Sequence, residues 1–210
     1  FPPNPFSLGA QSRPEMAIKH FEVIAEATDL PIIIFQYPLA SGQGYPLETL
    51  LQICNAVPSV CAIKDWCNNV QQHERQIQAL QSLARPVNVL TTHSSWLLSS
   101  LVLGCKGLLS GSGSVIADLQ VALFNAIEEG RLDVAKELNE RIRATADVFY
   151  ADPFVDMHNR MKVALVALGR IPSAAVRPPL VTPDSAEKLR IADAMTLAGI
   201  APEGAILEAA

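Results

Sequence analysis

Lys64 is the residue of this 210-residue sequence whose type and position most favour chemistry. It ends the apolar run Val60-Cys61-Ala62-Ile63-Lys64, which predicts a buried strand near 60–64. A buried ammonium is costly, so this lysine must be paired, neutralised or chemically employed. A desolvated lysine is the nucleophile that forms Schiff bases with carbonyl substrates. The plainer interpretation is that Lys64 pairs with Asp65 or reaches solvent.

A glycine and serine turn, Gly111-Ser112-Gly113-Ser114, follows a short apolar run near 107–110 that ends at Ser110. Backbone N–H groups of such a turn could cradle an anion at the start of a helix. The turn lacks the third glycine of a dinucleotide fingerprint and any Walker lysine, so we predict no nucleotide site there. A tight strand-to-helix turn and a substrate-contacting turn both remain open.

Thr92 and His93 follow a predicted strand near 86–90. On an active-site loop His93 could act as an acid or base, and it could equally be a helix cap. The other histidines, at positions 20, 73 and 158, lie in predicted helices without ligand spacing, so we predict no metal site.

These residues depend on a regular alternation of elements. Strands are predicted near 31–35, 60–64, 86–90 and 107–110, each followed by a helix. Consecutive parallel units of this kind belong to an open doubly wound sheet or to a (β/α)8 barrel. Four units would be half of a barrel. After Gly130 three helices follow without strands, so we predict a barrel half over 1–129 and a helical region over 130–210.

Composition excludes several classes of protein. The chain is 50% hydrophobic with a formal net charge of −5, which fits a packed core and gives no footprint for nucleic acid or an anionic membrane. No apolar stretch reaches the length of a membrane span. The four cysteines form no C-x-x-C pair, which favours a reducing, cytoplasmic location.

The beginning of the chain carries two further expectations. Phe1-Pro2-Pro3-Asn4-Pro5 has no initiator methionine and opens as if in mid-loop, so we expect a fragment or a processed chain. Ser12-Arg13-Pro14-Glu15 is a capping box that predicts a helix start.

Five segments, taken in order, resemble the dihydrodipicolinate synthase / N-acetylneuraminate lyase family. They are 35–38 with Gly42, 62–65, 103–110, 161–165 with Gly169, and 176–180. The resemblance implies an α/β protein with a (β/α)8 TIM barrel and a C-terminal helical extension, of which this chain covers roughly the second half and the extension. It also implies a lyase or aldolase that holds pyruvate or a related 2-oxo acid as an imine on Lys64, with no cofactor, in a homo-oligomer (dimer or tetramer).

In a (β/α)8 barrel the catalytic groups lie at strand carboxyl ends and on the loops that follow them. This rule predicts one mouth that contains Lys64 and Tyr37, which the resemblance implies to be the catalytic residues. The predicted substrate-binding residues of the same mouth are Phe35, Thr92, His93, Ser110, Gly111 and Ser112.

The chain also departs from the family pattern. Phe35 stands where the family has the tyrosine of its Tyr-Asn-x-Pro motif, whose phenol relays protons. Tyr37 lies two residues on, on the same side of a strand, and is the predicted replacement. Ala40 stands where dihydrodipicolinate synthases have an arginine for the second substrate, so another 2-oxo acid lyase is favoured over lysine biosynthesis.

Two other classes of function compete with the lyase. A catalytically degenerate family member would bind or regulate through a small molecule, and the loss of the phenol at Phe35 favours it. A phosphate-binding barrel enzyme would hold an anion on the 111–114 turn and leave Lys64 chemically inert.

Overall fold

The structure is a computed structural model that describes residues 13–200. The predicted capping residue Ser12 and the opening residues lie outside this range. The helices are α1 (Pro14–Glu26), α2 (Leu47–Ala56), α3 (Val70–Gln81), α4 (Leu97–Val102), α5 (Gly113–Glu128), α6 (Leu132–Phe149), α7 (Met157–Ala167) and α8 (Ser185–Leu197). The strands are β1 (Ile32–Gln36), β2 (Val60–Asp65) and β3 (Asn88–Thr91). Short 3₁₀ turns cover Leu39–Ser41 and Phe154–Asp156.

The described chain divides into two compact units. Residues 13–93 with 99–109 form the first, called the sheet unit, and residues 94–98 with 110–200 form the second, called the helical unit. These units group residues by packing within this chain. The predicted division at residues 129 and 130 stays a prediction.

The sheet unit contains a parallel sheet in the order β1-β2-β3. Its strands form where the sequence has apolar, β-branched runs, as at Ile32-Ile33-Ile34, which is typical of strands covered by helices. Parallel pairing brings the carboxyl ends of all three strands to one edge.

The two faces of this sheet differ in exposure. One face is fully buried and consists of residues 34, 36, 63, 65, 89 and 91. On the other face the row Phe35, Lys64 and Leu90 is only half-buried. Strand alternation therefore places Lys64 and Asp65 on opposite faces of the same strand end.

The fourth predicted strand, near 107–110, is reduced in the structure to a single bridge between Leu108 and Thr91. Two hydrogen bonds flank it, from Thr91 N–H to the Gly107 carbonyl and from Leu109 N–H to the Thr91 carbonyl. The apolar run is only three residues long, with a glycine at its start, which is too short to extend the ladder.

The helical unit consists of α5 to α8, and up to residue 200 three helices without strands follow Gly130, as predicted. Buried apolar residues such as Leu123, Phe149 and Ile191 form its core. A buried ion pair between Arg160 and Glu187 links α7 to α8, with 2.5 Å between Nε and Oε1. Within residues 13–200, no helix combines the length and the apolar character needed to cross a membrane.

Candidate active site

Lys64 lies at the carboxyl end of the central strand β2. It is paired in register with Phe35 of β1 and Leu90 of β3, on the half-buried face of the sheet. The rest of β2 is anchored by buried apolar residues such as Val60 and Ile63. The strand thus holds the backbone of Lys64 rigidly while its amine stays reachable.

The amine of Lys64 has an aromatic neighbour and, among residues 13–200, no carboxylate partner. Its Nζ lies 4.1 Å from the centroid of the Phe35 ring. Within the part of the chain that the structure describes, Lys64 forms no ion pair, and Asp65 binds His73 instead. The interpretation that Lys64 pairs with Asp65 is therefore wrong, because alternation turns the two side chains apart.

Burial lowers the pKa of Lys64 below its ordinary value. The Phe35 ring acts in the opposite direction, because a π-face favours the protonated amine. Because burial lowers this pKa, a larger share of the lysine is neutral at a given pH than for a lysine in water. A neutral amine is the form that attacks a carbonyl carbon.

Tyr37 follows β1 and lies beside Phe35, with 4.3 Å between the ring centroids. The buried Gln36 side chain fixes the loop that follows Tyr37, because it donates to the Tyr45 carbonyl and accepts from the Tyr45 N–H. At Gly44 the loop passes so close to the Tyr37 carbonyl that an added Cβ would lie 2.3 Å from it, so only glycine fits. Tyr37 therefore lies on the same side of the chain as Phe35, and its predicted catalytic role stays a prediction.

Trp66 is a third aromatic residue at this edge, and the sequence analysis did not select it. Its ring centroid lies 5.7 Å from that of Tyr37 and 6.3 Å from that of Phe35. Its position two residues after Lys64 was the available signal, since i and i+2 share a side of an extended chain. Thr92 lies at the same edge, where its N–H donates to the Asp65 carbonyl.

A buried polar network occupies the opposite face of β2. Asp65 Oδ2 lies 2.6 Å from His73 Nδ1, and His73 Nε2 lies 3.2 Å from Cys105 Sγ. His93 Nε2 accepts from the Asn68 N–H at 3.1 Å, and its Nδ1 lies 3.3 Å from the Thr91 hydroxyl. The network joins the strand ends to α3 and to the segment after Lys64.

Burial dominates the protonation of this network. Desolvation lowers the pKa of His93 to about 4, with the charge of Asp65 opposing this shift and that of His73 adding to it. Burial and Asp65 together raise the pKa of Cys105 to about 12. A neutral His93 that accepts an N–H is a structural group, and its predicted role in substrate binding stays a prediction.

Within residues 13–200, Asp65, Cys67 and His93 form a group that could hold a metal ion, since one ligand atom from each lies within 4.8 Å of the others. Each of these atoms is already engaged. Asp65 accepts from the Cys67 N–H and contacts His73, His93 accepts from Asn68, and the Cys67 thiol contacts the Asn69 carbonyl. Ions would have to displace these bonds, so the arrangement fits a hydrogen-bonded cluster better.

Ser110 and Ser112 belong to a second network, in the helical unit. Their hydroxyls lie 3.0 Å apart, and the Gln120 amide donates to both. Ser94 contacts Ser110 at 2.5 Å and donates to the Tyr150 hydroxyl at 2.7 Å. The sequence analysis missed these three partners, because Gln120, Ser94 and Tyr150 lie 8, 16 and 38 residues along the chain from the serine that each contacts.

The turn at 111–114 uses its own backbone donors. The N–H of Ser112 donates to the Tyr150 hydroxyl, that of Gly113 to the Ser110 carbonyl, and that of Ser114 to the Gly111 carbonyl. An anion would have to compete with these bonds, which counts against the phosphate-binding alternative.

The structure thus brings Lys64, Phe35, Tyr37 and Thr92 together in the sheet unit, with His93 in the network behind them. Ser110, Gly111 and Ser112 lie in the helical unit. The prediction of one shared mouth stays a prediction.

Comparison with known proteins begins with a family model. The model of the Dihydrodipicolinate synthetase family matches residues 4–198. A probable 2-dehydro-3-deoxy-D-pentonate aldolase, YjhH of Escherichia coli K12, is 24% identical over 184 residues, which are 87% of this chain and 60% of that protein. A 4-hydroxy-tetrahydrodipicolinate synthase of Sorangium cellulosum is 29% identical over 177 residues, or 84% of this chain and 56% of that protein. The chain thus spans less than two thirds of these relatives.

Two solved structures show the fold. A monomeric dihydrodipicolinate synthase variant superposes with a TM-score of 0.80 at 21% identity, over 89% of this chain and 61% of that one. YagE, a prophage protein of Escherichia coli K12 solved with pyruvate, superposes with a TM-score of 0.79 at 24% identity, over 89% and 62%. The chain therefore shares the TIM-barrel fold with a C-terminal helical domain, and the doubly wound alternative falls away.

Proposed function

Because this chain belongs to the Dihydrodipicolinate synthetase family, we propose that its protein is a lyase of the aldolase type that binds pyruvate or a related 2-oxo acid as a Schiff base on Lys64. The observation that carries the proposal is the state of Lys64. Its amine lies at the carboxyl end of a central barrel strand, on a half-buried face, without an ion pair among the described residues and with a pKa lowered by burial. YagE, solved with pyruvate, supports the choice of 2-oxo acid.

The chemistry begins when the neutral amine attacks the keto carbon. Loss of water gives a protonated imine, which draws electrons from the neighbouring carbon and permits a proton to leave it or a C–C bond to break. Water then hydrolyses the imine and restores Lys64. Each proton transfer needs a positioned acid or base.

We assign that relay to Tyr37. Phe35 has no hydroxyl, and its ring contacts Nζ of Lys64 instead. Tyr37 carries a phenol and its ring lies beside that of Phe35. The Gln36 and Gly44 contacts fix its loop. Thr92 at the same edge is proposed to contact the substrate.

The extent and context of the chain are also proposals. We infer that it supplies the second half of the barrel and the C-terminal helical extension, and that the complete protein is a cytoplasmic homo-oligomer. Ala40 supports a reaction other than that of an authentic dihydrodipicolinate synthase.

The test is reductive trapping in the complete protein. With pyruvate and borohydride, the peptide that contains Lys64 gains one substrate-sized mass, and Lys64→Arg abolishes the adduct because arginine keeps the charge without forming an imine. Lys106→Arg, in the same unit, is the matched control and keeps the adduct. The trapping rate rises with pH towards the lowered pKa of Lys64, because only the neutral amine attacks.

One result would sink the lyase. If a panel of 2-oxo acids leaves no adduct on Lys64, the alternative of a degenerate family member that binds a small molecule replaces it. The phenylalanine at position 35 is the feature that favours that alternative.

A further inference from the structure

Three aromatic rings surround one side of Lys64 and are called here the aromatic wall: Phe35, Tyr37 and Trp66. The ring centroids of Phe35 and Tyr37 lie 4.3 Å apart, those of Tyr37 and Trp66 5.7 Å, and those of Phe35 and Trp66 6.3 Å. Nζ of Lys64 lies 4.1 Å from the Phe35 centroid. All three side chains are half-buried, which leaves part of each ring surface reachable. The wall is therefore close to the amine, at the carboxyl ends of the strands, where a (β/α)8 barrel binds its ligands.

The backbone of the segment that carries Trp66 is fixed one N–H at a time. Trp66 N–H donates to the Gln36 carbonyl at 2.9 Å. The Cys67 N–H donates to Asp65 Oδ1 at 2.8 Å. The Asn68 N–H donates to His93 Nε2 at 3.1 Å. The last two acceptors, Asp65 and His93, belong to the buried network behind β2, so this network helps to fix the position of the segment that carries Trp66.

The chemistry of the wall favours some ligands over others. It offers three π-faces and only two polar atoms, the Tyr37 hydroxyl and the Trp66 ring N–H. A flat apolar group gains stacking and burial on such a surface. A chain of hydroxyl groups would lose its bonds to water there and recover few of them.

We propose that the carbonyl partner of this enzyme is an aromatic or otherwise flat, apolar aldehyde, with Trp66 as the residue that determines this specificity. The inference rests on the proposed imine chemistry of Lys64. In the joining direction a methyl proton leaves the pyruvate imine, and the resulting enamine carbon bonds to the aldehyde carbon. The aldehyde oxygen takes up a proton, and water cleaves the imine. Pyruvate and the aldehyde together equal the 4-hydroxy-2-oxo acid, with no oxidant or reductant.

The experiment compares benzaldehyde with D-glyceraldehyde in the complete protein at saturating pyruvate. We expect kcat/KM to favour benzaldehyde by about 10-fold or more, which is the scale of aromatic contacts and apolar burial. Trp66→Ala lowers kcat/KM for benzaldehyde by about 10-fold or more, and Trp66→Phe, which keeps a flat ring, loses less. Trp96→Phe, outside the wall, is the control and leaves the ratio of the two aldehydes unchanged.

Borohydride trapping of pyruvate on Lys64 separates the two levels of failure. If the adduct forms and glyceraldehyde is preferred, or if Trp66→Ala leaves the ratio unchanged, the specificity inference is wrong and the imine proposal stands. If no adduct forms, both are wrong. Trp66→Leu provides a bulky, non-planar replacement should the alanine variant fail to fold, and it is expected to lose the benzaldehyde preference as well.

Discussion

The Lys64 amine of the sheet unit and the serine hydroxyls of the helical unit differ in how far their polar atoms are bound by other side chains. In the sheet unit, Lys64 stands over an aromatic ring without an ion pair among the described residues, and burial lowers its pKa. In the helical unit, the hydroxyls of Ser94, Ser110 and Ser112 bind one another and Tyr150. An uncompensated group retains its reactivity, whereas a satisfied network mainly adds rigidity.

The same contrast exists inside the sheet unit, between the two faces of β2. Lys64 faces the half-buried side of β2, and Asp65, its neighbour, is fully buried and bonded to His73. One residue of alternation thus separates Lys64, the proposed reactive group, from the network that holds its strand end.

The largest expected effect concerns the reactive side of this contrast. Tyr37→Phe removes the only phenol of the aromatic wall and should lower turnover of the complete protein by about 10² or more, as expected for a lost acid–base group. The wall keeps its shape, because a phenyl ring replaces a phenol. Steady-state kinetics with pyruvate as one substrate measure the change.

Tyr45→Phe is a control for Tyr37→Phe, because Tyr45 is buried in the same loop region and uses its backbone for the contact to Gln36. It should leave turnover within a few-fold of the parent. The Tyr37 variant should still form the borohydride adduct on Lys64. Unchanged turnover in Tyr37→Phe would remove this phenol from the mechanism.

The second effect concerns the network behind the strand, through His93. Its pKa is about 4 in the folded state against 6.5 for the free side chain. The unfolded chain therefore binds a proton in this window that the folded chain does not. The contribution of His93 to the free energy of unfolding is fully present above pH 6.5. It is lost as the pH falls towards 4, and the loss amounts to roughly 3 kcal/mol.

Denaturant unfolding of the complete protein at a series of pH values measures this loss. His93→Gln, whose side-chain oxygen can still accept the Asn68 N–H, should flatten the slope between pH 6.5 and 4. Carboxyl groups titrate at the acid end of the same window, so the difference between parent and variant is the informative quantity. Equal slopes in the two proteins would show that His93 is not held neutral.

Three of the four strands were predictable from the sequence, because each coincides with a run rich in apolar and β-branched residues. They were predicted near 31–35, 60–64 and 86–90, and the structure has them at Ile32–Gln36, Val60–Asp65 and Asn88–Thr91. The placement of Lys64 at a strand end followed from the same pattern. The run near 107–110 does not form a strand, because a strand also needs a neighbouring segment with which to pair. In this run Leu108 is the residue that pairs, with Thr91.

The buried network could not be predicted in the same way. Asp65, His73 and Cys105 are separated by 8 and 32 residues and lie in or beside three different elements. Such contacts depend on how α3 packs on the sheet, which leaves no local pattern in the sequence. Trp66 was within reach of sequence reasoning, since its spacing from Lys64 follows the alternation rule that selected Tyr37.

The smallest expected effect concerns the helical unit, in which Tyr150 accepts hydrogen bonds from the Ser94 hydroxyl and the Ser112 N–H. Tyr150→Phe leaves the Ser112 N–H without this acceptor, and Ser112 is almost fully buried. We expect a loss of about 1–2 kcal/mol in the free energy of unfolding. Thermal or denaturant unfolding of the complete protein measures it. Because the network is supportive in this comparison, the Lys64 adduct should form at the parent rate in the folded variant. A loss of adduct formation without a loss of stability would move Tyr150 from the supporting group to the reactive one and break the contrast between the units.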